Sequence, residues 1–182
     1  MKVKRLILFI IIITLSLGLL SCTSYKSMLN ERLSELNTNN DDKIADTQFQ
    51  NIIQSLENND KEGLKKIFSS NALKEAKDID GSIDYISGFF KGKIQSKDVA
   101  LEVSDHKDNG KNTRELKAFY TVITDEGTYI VFFIDQLVDT KNPDNVGLYM
   151  LQIIKESDEE KEFDWGGDKT RCAGIYRPSI AK

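Results

Sequence analysis

Apolar residues change their period part-way along this chain, and that switch decides what it can fold into. From residue 44 to about residue 92 they recur every three or four positions. Ala45, Phe49, Ile52, Ile53 and Leu56 form one such stripe, with Asp46 near its start, where a negative charge suits a helix N-terminus. Asn58-Asn59-Asp60 breaks that helix, and Asp60 is placed to cap a second one carrying Leu64, Ile67 and Phe68. Ser69-Ser70-Asn71 interrupts again before Ala72, Leu73 and Ala76. A further helix is expected to start near Asp80 or Ser82, to carry Ile83, Ile86, Phe89 and Phe90, and to end around Gly92. Beyond Lys93 the period becomes two. Val99, Leu101 and Val103 alternate with Ala100, Glu102 and Ser104, and 108–110 (Asp-Asn-Gly) marks a loop that also takes in His106. Helices followed by hairpin strands predict an α+β domain, with helices packed on one face of a curved antiparallel sheet.

The central hairpin can be given a register. Residues 116–124 and 128–138 flank Asp125-Glu126-Gly127, read as a three-residue loop with glycine at the positive-φ position. Thr124 then stands opposite Thr128, which pairs Val122 with Ile130, Tyr120 with Phe132 and Ala118 with Ile134. The other face pairs Ile123 with Tyr129, Phe119 with Phe133 and Lys117 with Asp135. The first set is the more apolar and is expected to meet the helices; the second ends in opposite charges, as an exposed face would. Asn142-Pro143-Asp144-Asn145 turns the chain into a last long strand, 146–154. A charged bend (156–162) leads to Phe163-Asp164-Trp165 and a tail through Cys172 and Ile175-Tyr176.

The N-terminus has a different character. Lys2, Lys4 and Arg5 precede an apolar run from Leu6 to Leu20, too short for the roughly 20 residues that span a bilayer and interrupted by Thr14, Ser16 and Gly18. A basic start, an apolar middle and small residues at the end describe a secretory signal peptide. Leu19-Leu20-Ser21-Cys22 resembles the lipobox of bacterial lipoproteins, in which the cysteine thiol receives a diacylglyceryl group. The resemblance implies a signal peptide over residues 1–21, lipidation at Cys22, a tether over residues 22–43, and a single domain over residues 44–182 on the extracytoplasmic face of the cell membrane. Two acyl chains, at about 0.8 kcal/mol per buried methylene, anchor a domain stably where one chain is marginal.

Charge and cysteine content exclude several roles. The leader holds three basic residues and no acidic one, so without it 22 basic residues face 29 acidic ones, a balance near −7. A nucleic-acid partner needs a basic face to neutralise phosphates and is not expected. With Cys22 acylated, Cys172 has no partner for a disulfide, and no cysteine-rich metal site can form. Cys172 reads as a small buried hydrophobe. No phosphate loop, serine elbow or metal cluster is present, and neither cofactor nor metal is expected.

Residues 58–72 (Asn-Asn-Asp-Lys-Glu-Gly-Leu-Lys-Lys-Ile-Phe-Ser-Ser-Asn-Ala) resemble the helix pair that opens nuclear transport factor 2-like domains, whose sheet wraps a pocket into a cone. Together with residues 88–94 and 142–148 they also resemble an uncharacterised domain family of lipoproteins from low-GC Gram-positive bacteria. The similarity spans roughly residues 44–154 and carries no catalytic motif. The cone fold implies a pocket lined by Phe89, Phe90, Tyr120, Phe132, Ile134 and Met150, suited to a small apolar ligand, unless those side chains simply fill the core. The alternative is a lipoprotein that forms a homodimer or docks an envelope protein through Phe119, Tyr129, Phe133 and Tyr149 on the outer sheet face. Enzymes of the cone fold place an Asp–His pair or a Tyr–Asp set in the pocket. Here His106 reads as a loop residue, Asp84 turns away from its helix's apolar side, and Asp135 pairs with Lys117. No catalytic residue is assigned; a small-molecule isomerase, cyclase or hydrolase built on a pocket carboxylate is the third reading.

Overall fold

A computed structural model describes residues 41–178; Cys22 and the leader lie outside the described residues. Among the described residues four helices come first: α1 (Asp41–Glu57), α2 (Lys61–Lys66), α3 (Ser70–Glu75) and α4 (Ile79–Phe89). The strands β1 (Ile94–Asp108), β2 (Lys111–Thr124), β3 (Gly127–Asp139) and β4 (Gly147–Lys155) follow, then a short helix α5 (Glu159–Glu162) and β5 (Gly174–Tyr176). The α+β expectation holds, with the strands in one open, curved sheet ordered β1-β2-β3-β4-β5. The pairs are antiparallel except the last, where β5 runs parallel to β4.

Short polar side chains set the helix boundaries. Helix α1 buries Ala45, Phe49, Ile52, Ile53 and Leu56, the predicted stripe, and starts at Asp41, inside the stretch read as tether. Asp60 caps α2 by accepting from the Gly63 amide (2.8 Å), and Ser69 caps α3 from Ala72 (3.1 Å). The start of α4 falls ahead of the expected Asp80 or Ser82. Asp78 accepts from the Gly81 amide (3.0 Å), so the first turn begins at Ile79.

The β2–β3 register differs from the expected one by a single residue. Thr124 pairs with Gly127, leaving a two-residue loop of Asp125 and Glu126. The Thr124 hydroxyl accepts from the Glu126 amide (3.1 Å), and Asp125 accepts from the Lys93 amide (2.7 Å). Those side-chain contacts close the tighter turn, and Gly127 takes the positive φ (143°) that the sequence assigned to it. A slip of one residue turns every side chain of the partner strand over. Tyr120 therefore stands opposite Val131 rather than Phe132, and Phe119 opposite Phe132 rather than Phe133. Asp135, expected on the exposed outer face of the sheet beside Lys117, faces Leu116 and Leu148 and is fully buried; Lys117 reaches Glu102 instead (3.5 Å).

Strand β1 is longer than expected at both ends. His106 is no loop residue: it sits opposite Thr113 in the β1–β2 ladder, and the turn is Asn109-Gly110 alone, both with positive φ (49° and 78°). That is the pattern a two-residue hairpin loop favours.

The middle of the sheet is covered on both faces. On one, Phe49 of α1 stacks on Tyr120 at 4.2 Å, Tyr120 stacks on Phe133, and Phe90 packs on Tyr129 at 4.9 Å. On the other, Ile130, Phe132, Ile134, Met150 and Ile154 form a buried cluster flanked by Phe119, Tyr149, Phe163 and Tyr176. What closes this second face is the chain after β4. Phe163 meets Phe132 at 5.1 Å and Phe119 at 5.0 Å, and Trp165 stacks on Phe119 at 5.3 Å. Such aromatic pairs are each worth about 0.5–1.5 kcal/mol beyond the area they bury.

The arm makes its turn directly on the cluster. Trp165 and Gly166 both take left-handed φ (57° and 65°), and a Cβ on Gly166 would lie 2.7 Å from Ile134 Cδ1 and 3.2 Å from Phe132 Cε1. Gly166→Ala is expected to cost about 1–3 kcal/mol, combining backbone strain with overpacking. Chemical denaturation followed by the fluorescence of Trp165, the only tryptophan, measures it. An unchanged midpoint would mean that the turn does not rest on the sheet.

Asp164 holds the same turn from the other side. Burial works to raise its pKa, but donation from the Thr170 hydroxyl and the amides of Lys169, Gly167 and Thr170 outweighs it and holds the carboxyl below the ordinary 3.8. A carboxyl with a lowered folded-state pKa contributes stability that is whole above its unfolded value and is lost as pH falls through the folded one. Acidification below about pH 4 is therefore expected to loosen the arm, read as a Trp165 emission shift. Asp164→Ala should show that shifted emission at neutral pH; if it keeps the wild-type spectrum at every pH, the carboxylate does not hold the turn.

Candidate functional site

A groove lies where the arm returns to the helices. Helix α3 ends at Glu75, Ala76 takes extended backbone, and α4 begins at Ile79, so Ala76-Lys77-Asp78 forms the corner between the two helices. The returning chain, Cys172 to Pro178, runs past this corner. Gly174, at φ 87°, lets the two backbones approach: a Cβ there would sit 2.9 Å from the Ala76 Cβ. The space between them measures about 710 Å³. That is within the range of small-ligand sites, about 300–1,000 Å³.

Its walls are mixed in character. Ala76, Ile79, Ile175 and the ring of Tyr149 provide apolar surface, and Ser82 and Tyr176 add hydroxyl groups. Arg177 and Asp78 pair at the rim (3.3 Å), both largely exposed, a contact worth about 0–1 kcal/mol. Arg171 lies over the Tyr149 ring at 5.1 Å while its guanidinium holds Glu115 at 2.6 Å, which fixes the ring's outer side. The Tyr176 hydroxyl donates to Glu162 (3.0 Å); burial first, then that carboxylate, pushes its pKa up to about 12. Burial likewise pushes the Cys172 thiol up. Both shifts favour the neutral form, which suits packing and hydrogen bonding. A nucleophilic cysteine needs the opposite shift.

A second groove, about 670 Å³, opens at the end of α4 between Leu56, Ser87, Phe90 and the Lys91-Gly92-Lys93 bend. A polar cluster also lies under α1. Tyr120 donates to Asp46 (2.9 Å), and the Lys97 ammonium bonds the same carboxylate while resting over the Phe49 and Tyr120 rings (4.8 and 5.0 Å). Lys97 first, then Tyr120, holds the Asp46 carboxyl below its usual value against the effect of burial. Burial and Asp46 push the Tyr120 hydroxyl upward. This cluster ties α1 to the sheet.

The residues expected to line one pocket do not meet. Tyr120 lies under α1, Phe89 and Phe90 pack against Tyr129 at the end of α4, and Phe132, Ile134 and Met150 lie on the opposite sheet face beneath Phe163 and Trp165. The residues expected to form an exposed aromatic face are divided as well. Tyr129 and Phe133 are buried on the helix side, while Phe119 and Tyr149 are half-buried beside the arm. The one-residue register explains both corrections. Asp84 is exposed and pairs with Lys61 at 2.5 Å. Cys172, expected in the core, is only half-buried and lines the larger groove. Sequence reasoning missed Asp78, Ile175, Tyr176 and Arg177 as site residues. Their only signal was the apolar pair Ile175-Tyr176, too short to identify a strand.

No curated protein matches this chain. Residues 51–156, more than half of it, match a family described as a domain of unknown function, and the region matched runs from α1 to the end of β4. The chain is therefore a member of the DUF5104 family.

Proposed function

We propose that this chain is a lipoprotein of low-GC Gram-positive bacteria, anchored through Cys22 to the outer face of the cell membrane, whose domain binds a ligand without chemical turnover. In this reading the helices and curved sheet form a nuclear transport factor 2-like cone; helices preceding an open, curved sheet support it. The ligand is small and largely apolar with polar ends. It takes the groove between Ala76–Ser82 and Cys172–Arg177 rather than the sheet's own faces, which side chains fill. The observation that carries this is the groove itself: about 710 Å³, with apolar surface along Ile79, Ile175 and Tyr149 and the charged side chains of Glu75, Lys77, Asp78 and Arg177 beside it.

The test is native mass spectrometry of the full chain isolated from membranes, with a thermal-shift screen of envelope metabolites. Wild type is expected to carry or respond to a small molecule, and Ala173→Trp, which fills the groove from its wall, to lose that response while melting normally. An equal response from both places the ligand elsewhere. Turnover of any compound in the screen would overturn the non-catalytic reading.

A further inference from the structure

Strand β1 is unusual for an edge. It runs 15 residues, against about 3–10 for most strands, contains no proline, and is exposed along nearly its whole length. Among the described residues no strand pairs with its outer side. Its helix-side face carries Val99, 41 % exposed, with the half-buried Leu101 and Val103. We propose that β1 pairs antiparallel with β1 of a second copy about a two-fold axis at Leu101, joining two five-stranded sheets into one.

The register follows from the strand's own sequence. The longest regular pairing, from Ser96, just past the bulge at Gln95, to His106 of the second copy, places Leu101 against itself and Val99 against Val103. It also sets Lys97 against Asp105, twice by symmetry, and brings no like charges face to face. Neighbouring registers fail. Centred on Ala100, Asp98 meets Glu102; centred on Glu102, that residue meets itself and Lys97 meets Lys107. A one-residue slip puts the Val99–Leu101–Val103 stripe beside the other copy's polar side. Lys97 and Asp105 already have partners within the chain, Asp46 and Arg114. The new pairing extends those contacts into a continuous row of alternating charge. The proposal uses a surface far from the ligand groove and does not depend on it.

The test joins mass to register. The full chain in mild detergent is expected to sediment at twice the monomer mass. In a Cys172→Ala background, Leu101→Cys is expected to form a disulfide-linked dimer on mild oxidation, because opposed Cβ atoms lie about 4.5–5.5 Å apart. Val99→Cys alone should not, its two copies standing about 13 Å apart along the strand. Val99→Cys mixed with Val103→Cys should. A monomeric parent chain overturns the proposal. So does a dimer in which Val99→Cys crosslinks as readily as Leu101→Cys, or in which neither Leu101→Cys nor the mixture crosslinks. Should Leu101→Cys misfold, the mixed Val99→Cys and Val103→Cys pair still reads the register.

Discussion

Phe132→Ala is expected to lower the unfolding free energy by about 3–5 kcal/mol, measured by urea denaturation. Phe132 is fully buried, and its ring meets Phe163 at 5.1 Å, Trp165 at 6.3 Å and the backbone turn at Gly166. Truncation removes apolar area and leaves a cavity that the sheet cannot close, because β2 and β4 hold Phe132 from both sides. The loss reaches the arm as well: Phe163 and Trp165 keep Phe119 but lose their central contact. Trp165 emission should therefore move before the global transition. A cost below about 1 kcal/mol would mean that the arm does not seal this face.

Cys22→Ser is expected to abolish lipid incorporation entirely and to leave the chain either uncleaved or released from the membrane. The thiol is the acceptor of the diacylglyceryl group in the proposed lipoprotein, and a serine hydroxyl does not replace it. Without the two acyl chains, an acidic domain near −7 gains no attraction to an anionic membrane surface. Fatty-acid labelling and membrane fractionation check this directly. Labelling and fractionation unchanged in the variant would overturn the lipoprotein reading.

The helical half is legible in the sequence because its signals are local. Stripes such as Ala45-Phe49-Ile52-Ile53-Leu56 and caps such as Asp60 depend on residues three or four apart, and the chain meets those demands within a single turn. The one cap misplaced, Asp78 for Asp80 or Ser82, arose because several short polar residues precede α4 and any of them can supply the oxygen. The sheet was harder. Its strands were legible by alternation, but the faces depend on register, and register turned on a contact between Thr124 and its own loop together with Lys93, the residue just before β1. A difference of one residue separated Tyr120 from Phe132 and carried Asp135 from the surface to the interior.

The order of the main elements, the apolar stripe of α1, the glycine turn at Gly127 and the α+β class are legible in the residues alone, because each follows from short-range geometry. Which aromatics share a face, the return of the tail after β4 over Phe132 and Ile134, and the meeting of Asp78 and Arg177 beside Tyr149 emerge only in the folded chain. Those contacts join residues far apart in the chain. The weak local pattern of the tail, where three residues make a strand only by pairing with β4, holds no trace of them.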